Sequence, residues 1–562
     1  MKLAIGLILL IGSAIGQPLR SLKTVPVPQP PGLDNYVRDR VALAALGKAL
    51  FWEMQAGSDG RTACATCHFH AGADHRPQNQ IADPFNPFPV NLPLAAVAFP
   101  LRALSDPTNR NSQVLWDSGM RIGSAGTFRR IFGQIIPGQP AETGSEGLDK
   151  PEFMLGGLQT RRVTSRNAPS AFNAVYSIRG FWDGRAQRFF NGFTPSGLAA
   201  DAPGIWVVKD GVLVREQVRL DNSSLASQAV GPIMDHLEMS YAGRTWPQLG
   251  RKLFSLAPLA LQQVSVNDSA LGTMARAEGR GLADRFTYLS LVRAAFAPRL
   301  WESTESVEEG FTQAEQNFSL FWGLALQAYQ STLVSNDSPF DRFMDGDTGA
   351  LTAQEQQGMQ LFQTTGRCTN CHGGAEFSAA SFSGANNRAF QRTGVRPTTE
   401  DAGSGNGAFK SIGLRNVEFT GPYFHNGGQA TLEQVVEFYM RAGDFTPTNN
   451  IRTFRLATDE KAALVAFLKA LSDDRVRYER APFDHPELCV PVGHVERSPG
   501  VLAAGEPGPF SLDAAERWRG LSAVGAGGNQ APLRTFDEML RGAGANGGRA
   551  HLLDEACTAP LP

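Results

Sequence analysis

The pattern of apolar and polar positions divides the 562-residue chain into helical stretches separated by long irregular ones. Residues 36–51 read as a helix, and 311–334, around Phe318-Ser319-Leu320-Phe321-Trp322, have helical character. Residues 431–442 and 458–472 carry apolar residues at the spacing of amphipathic helices. Residues 76–155 are rich in Pro, Asn and Gly with only short apolar runs, which predicts a mostly irregular excursion. Trp206–Val214 predicts a β-hairpin turning at Asp210-Gly211. From Ala481 onward Pro and Gly rise, and the tail reads as an extension that wraps the body. The first apolar run, Leu3–Ile11 behind Met1-Lys2, is too short to span a bilayer comfortably. It is followed by Ala14-Ile15-Gly16 before Gln17, which predicts a cleaved export signal over 1–16, a retained anchor being the alternative. No later apolar stretch reaches the length of roughly 18 residues that a membrane span needs, so no transmembrane domain is expected after cleavage.

Cys64-Ala65-Thr66-Cys67-His68 at the end of the first helical stretch changes this picture, because C-x-x-C-H is the attachment site of a c-type haem. Two residues wound into a turn set both thiols along one edge of a porphyrin, and the following imidazole reaches the iron. Cys368-Thr369-Asn370-Cys371-His372 repeats the motif. A zinc site or a reduced dithiol is the alternative, but no second C-x-x-C lies near enough to either motif to complete a zinc finger. The upstream context repeats as well: Gly47-Lys48-Ala49-Leu50-Phe51 and Gly358-Met359-Gln360-Leu361-Phe362 share G-x-x-L-F. Thr352 and Glu355 form a capping box at the start of the second copy. Two cytochrome c-like units follow from this repeat.

The net charge of −2, with Lys and Arg scattered, gives no footprint for nucleic acid. Haem attachment of this type occurs outside the bacterial cytoplasm, which agrees with export to the periplasm. Of the six cysteines, only Cys489 and Cys557 lie outside the motifs. In an oxidising compartment that pair suggests one disulfide, two buried thiols being the alternative.

Two further stretches are specific. One is Arg166-Asn167-Ala168-Pro169-Ser170-Ala171-Phe172-Asn173-Ala174 followed by Phe181-Trp182-Asp183-Gly184-Arg185-Ala186. The other is Leu414-Arg415-Asn416-Val417 followed by Thr420-Gly421-Pro422-Tyr423-Phe424-His425-Asn426-Gly427. With the haem motifs, and in this order, they resemble the bacterial di-haem cytochrome c peroxidase superfamily, which includes MauG. The resemblance covers roughly residues 35–480.

The resemblance implies that His68 ligates the haem that meets peroxide and that His372 ligates the second haem. It sets Trp182 between the haems as an electron relay. Gln228-Ala229, Gly231-Pro232 and Glu238-Met239 match the family's distal pocket. Splitting H₂O₂ requires a proton to move from one oxygen to the other, and Glu238 is the candidate for that work, with Gln228 orienting the peroxide. Asn167, Thr420 and Pro422 match a calcium site between the domains, with amide and carbonyl oxygens as hard ligands.

Two departures narrow the resemblance. Conventional members carry a histidine eight residues before the calcium Asn, capping the resting iron. Here that position is Gln159, and residues 156–165 hold neither His nor Met, so the first haem is expected to be open. His70, His75 and His236 read as ordinary polar residues rather than substitutes. Conventional members also place a methionine fourteen residues after the histidine of the Pro-Tyr-Phe-His motif. From His425 that count lands on Tyr439, as in MauG, with Met440 adjacent. A phenolate favours the higher iron oxidation states, whereas a thioether raises the potential. The tryptophan that MauG places just before its second haem motif is Gly366 here, so that exit route is absent.

The expected fold is mainly α. It comprises a signal peptide (1–16), an N-terminal peroxidatic haem domain (17–310) with insertions about 76–155 and 190–225, a C-terminal cytochrome c-like domain (311–480) and a C-terminal extension (481–562). The expected cofactors are two covalent c-type haems, held by Cys64, Cys67 and His68 and by Cys368, Cys371, His372 and Tyr439, and one calcium ion. The expected function is a periplasmic peroxidase with H₂O₂ as oxidant. In the MauG-like form both haems reach Fe(IV) and oxidise a protein or other large donor. The alternatives are a conventional cytochrome c peroxidase fed by a small cytochrome c or cupredoxin, and a non-enzymatic electron-transfer cytochrome.

Overall fold

A computed structural model describes residues 17–76, 81–82, 99–147, 149–199, 201–384, 388–448, 451–498, 501–505, 512–541 and 557. The expected signal over 1–16 and parts of the insertion and the tail lie outside the described residues. Helix outweighs strand, and every sheet has only two strands. Among the described residues no helix is long and apolar enough to cross a membrane.

Two helix crossings organise the two halves. Helix Arg40–Trp52 starts later than its apolar pattern, because Asp39 caps it by accepting the Val41 and Ala42 amides at 2.8 and 3.0 Å. It packs against helix Phe318–Gln330. The contact passes through Gly47, where a β-carbon would stand 1.9 Å from the Ala325 carbonyl oxygen. In the second half, helix Ala353–Gln363 packs against helix Thr458–Lys469 through Gly358, where a β-carbon would stand 2.0 Å from the Ala463 carbonyl oxygen. The glycine of G-x-x-L-F is thus the close-approach point of both helix pairs. The capping box of the second copy is formed, with Glu355 N–H donating to Thr352 Oγ1 at 3.2 Å and Thr352 N–H to Glu355 Oε2 at 2.7 Å.

The apolar stretch 311–334 is two helices, Gln313–Gln316 and Phe318–Gln330. Asn317 breaks it by donating through Nδ2 to the carbonyls of Trp206 and Leu300, while its Oδ1 accepts the Trp206 amide. Sequence order groups these helices with the second unit, but Phe318, Phe321 and Trp322 are buried in the first core, with Leu46, Leu50 and Trp52. A separate second core gathers Phe340, Phe362, Phe377, Val436, Leu464 and Phe467. The hairpin pairs Ile205–Lys209 with Val212–Glu216, and both turn residues have positive φ (Asp210 52°, Gly211 79°), as a type I′ turn requires.

The tail strand Leu488–His494 pairs with Glu516–Leu521 and buries Leu488, Val490 and Val492 in the first core. Cys489 and Cys557 are joined in a disulfide across 68 residues.

In the second half, Asp341 is buried against Arg415. The guanidinium donates to both carboxylate oxygens at 2.7 and 2.9 Å, and Asp341 Oδ1 also accepts the Leu22 amide at 2.9 Å. Burial pushes this carboxyl up, but Arg415 and the other donors outweigh it and hold the pKa below its ordinary value. The stabilisation is therefore complete above the unfolded-state pKa of about 4 and is lost as pH falls through the lower folded-state value. Asp341→Asn should cost about 3–5 kcal/mol, because it strands a buried guanidinium. Urea denaturation of the variant measures this; a loss below about 1 kcal/mol would show that the pair is not buried as described.

Candidate functional site

Both C-x-x-C-H motifs open onto one cavity of about 1300 Å³. Cys64, Cys67 and His68 line one part, and Cys368, Cys371 and His372 line the other. The four thiols form no disulfide. Burial pushes Cys67 and Cys368 up to about 12, and Cys64 higher. His68 Nδ1 lies 2.8 Å from the Gly72 carbonyl oxygen. His372 Nδ1 lies 3.2 and 3.1 Å from the carbonyls of Phe377 and Ile412. A carbonyl fixes Nδ1 as the donor and leaves Nε2 as the ligating atom. Burial holds both rings below their ordinary pKa, hence neutral, as metal ligation requires. The cysteine pairs, the anchored imidazoles and the shared cavity fit two c-type haems.

Around His68 the cavity is lined by Gln228 and Glu238. Gln228 Oε1 accepts the Phe181 amide at 3.2 Å, which turns the amide nitrogen the other way. Glu238 is half-buried and borders the cavity, so its carboxyl is within reach of small molecules there. Burial, reinforced by the Asp235 charge and opposed by Arg185, pushes it up to about 7. A general acid–base group for neutral pH has such a value. His236 is exposed, and His70 and His75 are stacked at 3.3 Å in the interior without lining the cavity.

No residue from 156 to 165 lines the cavity. Gln159 is fully buried and bonded to the tail, its N–H donating to the Leu512 carbonyl at 2.7 Å while its carbonyl accepts the Ala514 amide at 2.9 Å. Two residues on, the Arg161 guanidinium binds Glu516 and Asp59, and the Arg161 N–H donates to His494 Nε2 at 3.2 Å. Nothing in the sequence signalled that the tail holds this segment.

Asn167 and Trp182 also line the cavity. Trp182 is buried, and its Nε1 donates to the Asn167 carbonyl at 2.9 Å. The Asn167 amide donates to the His425 carbonyl at 2.8 Å. Arg166 binds Asp183 at 2.7 Å and Asp401 at 2.9 and 2.7 Å, tying the Trp182 loop to the second half. His425 stacks on Phe409 at 3.6 Å and is pushed down to about 3, mainly by burial. Lys410, which sequence reasoning missed, donates its backbone amide to the Trp182 carbonyl at 2.8 Å, and burial pushes its side chain down to about 8.

In the second part Tyr439 lines the cavity, whereas Met440 is buried in the second core. Burial, with the Cys371 and Cys368 thiols adding to it, pushes the Tyr439 phenol well above its ordinary value, so it ionises only against a bound cation. Asn167, Thr420 and Pro422 border the same cavity, and Asn167 Nδ2 has no partner among the described residues. Their oxygens form an uncharged, hard donor set, which fits a calcium ion that completes its shell with water.

Gly180 sits against Gln228: a β-carbon there would stand 2.3 Å from Gln228 Oε1 and 2.9 Å from its Cβ. Gly180→Ala should therefore displace Gln228 and lower stability by about 1–3 kcal/mol. Thermal unfolding measures this, and unchanged stability would contradict the close approach.

Residues 140–349 match the family model described as di-haem cytochrome c peroxidase. The chain is 26% identical over 321 residues to the cytochrome c551 peroxidase of Pseudomonas aeruginosa, covering 56% of this chain and 66% of that one. It is 34% identical over 152 residues to the methylamine utilization protein MauG of Methylorubrum extorquens, covering 26% and 42%. The chain thus spans about two fifths to two thirds of the length of these relatives. A solved MauG-like protein associated with microbial copper homeostasis is similar at 19% identity over 82% of this chain and 96% of that chain, with a TM-score of 0.45. The stretch between the two haem motifs carries the match, and the chain is similar there to the di-haem cytochrome c peroxidases and to MauG.

Proposed function

We propose that this chain is an exported di-haem peroxidase, which takes hydrogen peroxide at the His68 unit and draws electrons through the His372 unit from a redox protein or a protein substrate. The first unit comprises the body of 17–310 with helix Phe318–Gln330, the second runs from Phe340 to about 480, and the tail braces the first. The observation that carries this reading is Glu238, a half-buried cavity carboxyl near pKa 7 whose charge acts on the Cys64 and Cys67 thiols of the first motif. A cytochrome that only passes electrons has no use for it.

Haem, attached through Cys64 and Cys67 and through Cys368 and Cys371, supplies iron that exchanges electrons with peroxide and donor. Gln228 Nε2 donates to one peroxide oxygen and holds the molecule beside Glu238. The Glu238 carboxylate accepts the proton of the near oxygen and returns it to the far one, which departs as water. Trp182, held through Nε1, bridges the two units. Asn167, Thr420 and Pro422 hold a calcium ion that stiffens the seam. The Tyr439 oxygen faces the second unit where a conventional member has a thioether, which favours the MauG-like form over the conventional one.

Glu238 must be ionised to accept the proton. Mixing the oxidised holoenzyme with one equivalent of H₂O₂ should therefore give a rate that rises with pH up to about 7 and then levels. Glu238→Gln should slow the reaction on the order of 10²–10⁴ fold and remove this pH limb. Stopped-flow optical spectroscopy measures both, and a wild-type rate in the variant would defeat the reading.

Tyr439→Met should raise the reduction potential of the second haem and make the enzyme dependent on prior reduction by a donor. Spectroelectrochemical titration measures the potential. An unchanged potential would remove Tyr439 from the ligand set.

A further inference from the structure

Helix Arg40–Trp52 ends in two aromatic residues that do different things. Phe51 lines the large cavity, its ring 6.3 Å from the His68 imidazole. Trp52 lies behind it, 4% exposed, outside that cavity. Its Nε1 donates to the Tyr329 hydroxyl oxygen at 3.0 Å, and its indole stacks on His485 at 4.8 Å and 14°. Phe51 touches both, 5.4 Å from Tyr329 edge-on and 6.1 Å from Trp52. His485 Nε2 lies 3.3 Å from Glu479 Oε1. His68, Phe51, Trp52, Tyr329, His485 and Glu479 all border a second cavity of about 10 Å³. An unbroken line of rings thus runs from the imidazole of the first haem motif to a buried carboxylate. It shares no partner with Trp182, whose contacts are Asn167 and His425.

Indole is among the most readily oxidised side chains, and here its surroundings favour the positive charge that oxidation leaves. An imidazole lies flat on its face, and a carboxylate stands behind the imidazole in a low-dielectric interior. The Tyr329 oxygen accepts the Nε1 proton's hydrogen bond, and burial keeps the phenol itself protonated, so the tyrosine holds the indole rather than replacing it.

We infer that Trp52 is a second redox-active tryptophan, a reservoir for one oxidising equivalent beside the His68 unit, with Tyr329 and His485 as its positioning residues. The inference rests on the peroxide reading of that unit. Reduction of H₂O₂ to two waters consumes two electrons and two protons. One electron comes from the haem at His68; the other comes from the second haem or, in competition with it, from Trp52 by way of Phe51. Trp52 keeps its Nε1 proton and becomes an indole cation radical, which a later electron from the donor restores. The device holds the second equivalent when no donor has docked.

The test is freeze-quench electron paramagnetic resonance on the holoenzyme mixed with one equivalent of H₂O₂ without donor. The protein is grown with ring-deuterated tryptophan or without it, and peptide mass spectrometry follows repeated peroxide additions. The expected result is an organic radical whose hyperfine structure narrows on deuteration, persists in Trp182→Phe and is lost in Trp52→Phe. Tyr329→Phe, which removes only the hydrogen-bond acceptor, should shift that spectrum. Oxygen-addition products in wild-type protein should concentrate on the peptide holding Trp52, and this arm needs no variant to fold. A haem optical change with the radical unaltered in Trp52→Phe, a tyrosyl spectrum, or damage centred on another tryptophan overturns the inference and leaves the peroxide reading standing. No optical response of the haems to peroxide overturns both.

Discussion

The site depends on the pair Arg166–Asn167 at the seam between the two cores. The Arg166 guanidinium holds Asp183 from the Trp182 loop and Asp401 from the second half together, with 17% of its side chain exposed. The next residue bonds forward to the His425 carbonyl and receives Trp182 Nε1. These contacts cross between segments that are far apart in sequence, and they fix one indole in the wall of the cavity that both C-x-x-C-H motifs share. Replacing the guanidinium would leave two carboxylates facing each other in a half-buried pocket, and such like charges repel strongly at low dielectric.

The two ends of the cavity are built alike and tuned apart. Each has a helix that crosses its partner at a glycine and ends in a phenylalanine lining the cavity, Phe51 in one half and Phe362 in the other. At the first end the segment 156–165 is held away from the cavity by the tail, through the main chain of Gln159 and the guanidinium of Arg161. At the second end Tyr439 lines the cavity.

Much of this was legible in the sequence because it is local. The haem motifs, the G-x-x-L-F repeat, the Thr352 capping box and the Asp210-Gly211 turn are set by residues a few positions apart. The disulfide followed from elimination, with four cysteines committed to the motifs. Tyr439 was singled out by the family resemblance, through the fourteen-residue count from His425, and helix geometry then turns the adjacent Met440 about 100° away. What was not legible is long-range. Helix Phe318–Gln330 follows the first unit in the chain and precedes the second motif, so order alone places it with the wrong core; its partner, Gly47, is set by packing. The docking of 512–516 on 159–161, and the cluster of Trp52, Tyr329 and His485, join segments more than 100 residues apart that carry no matching motif.

We propose that the two haem sites differ: no side chain of 156–165 would reach a haem held by His68, whereas Tyr439 would ligate a haem held by His372. Low-temperature electron paramagnetic resonance of the oxidised holoprotein, with and without added cyanide, tests it most directly. The account predicts one high-spin ferric centre that cyanide converts to low spin, and one low-spin centre that cyanide leaves unchanged. Two low-spin centres at rest, neither responding to cyanide, would contradict it.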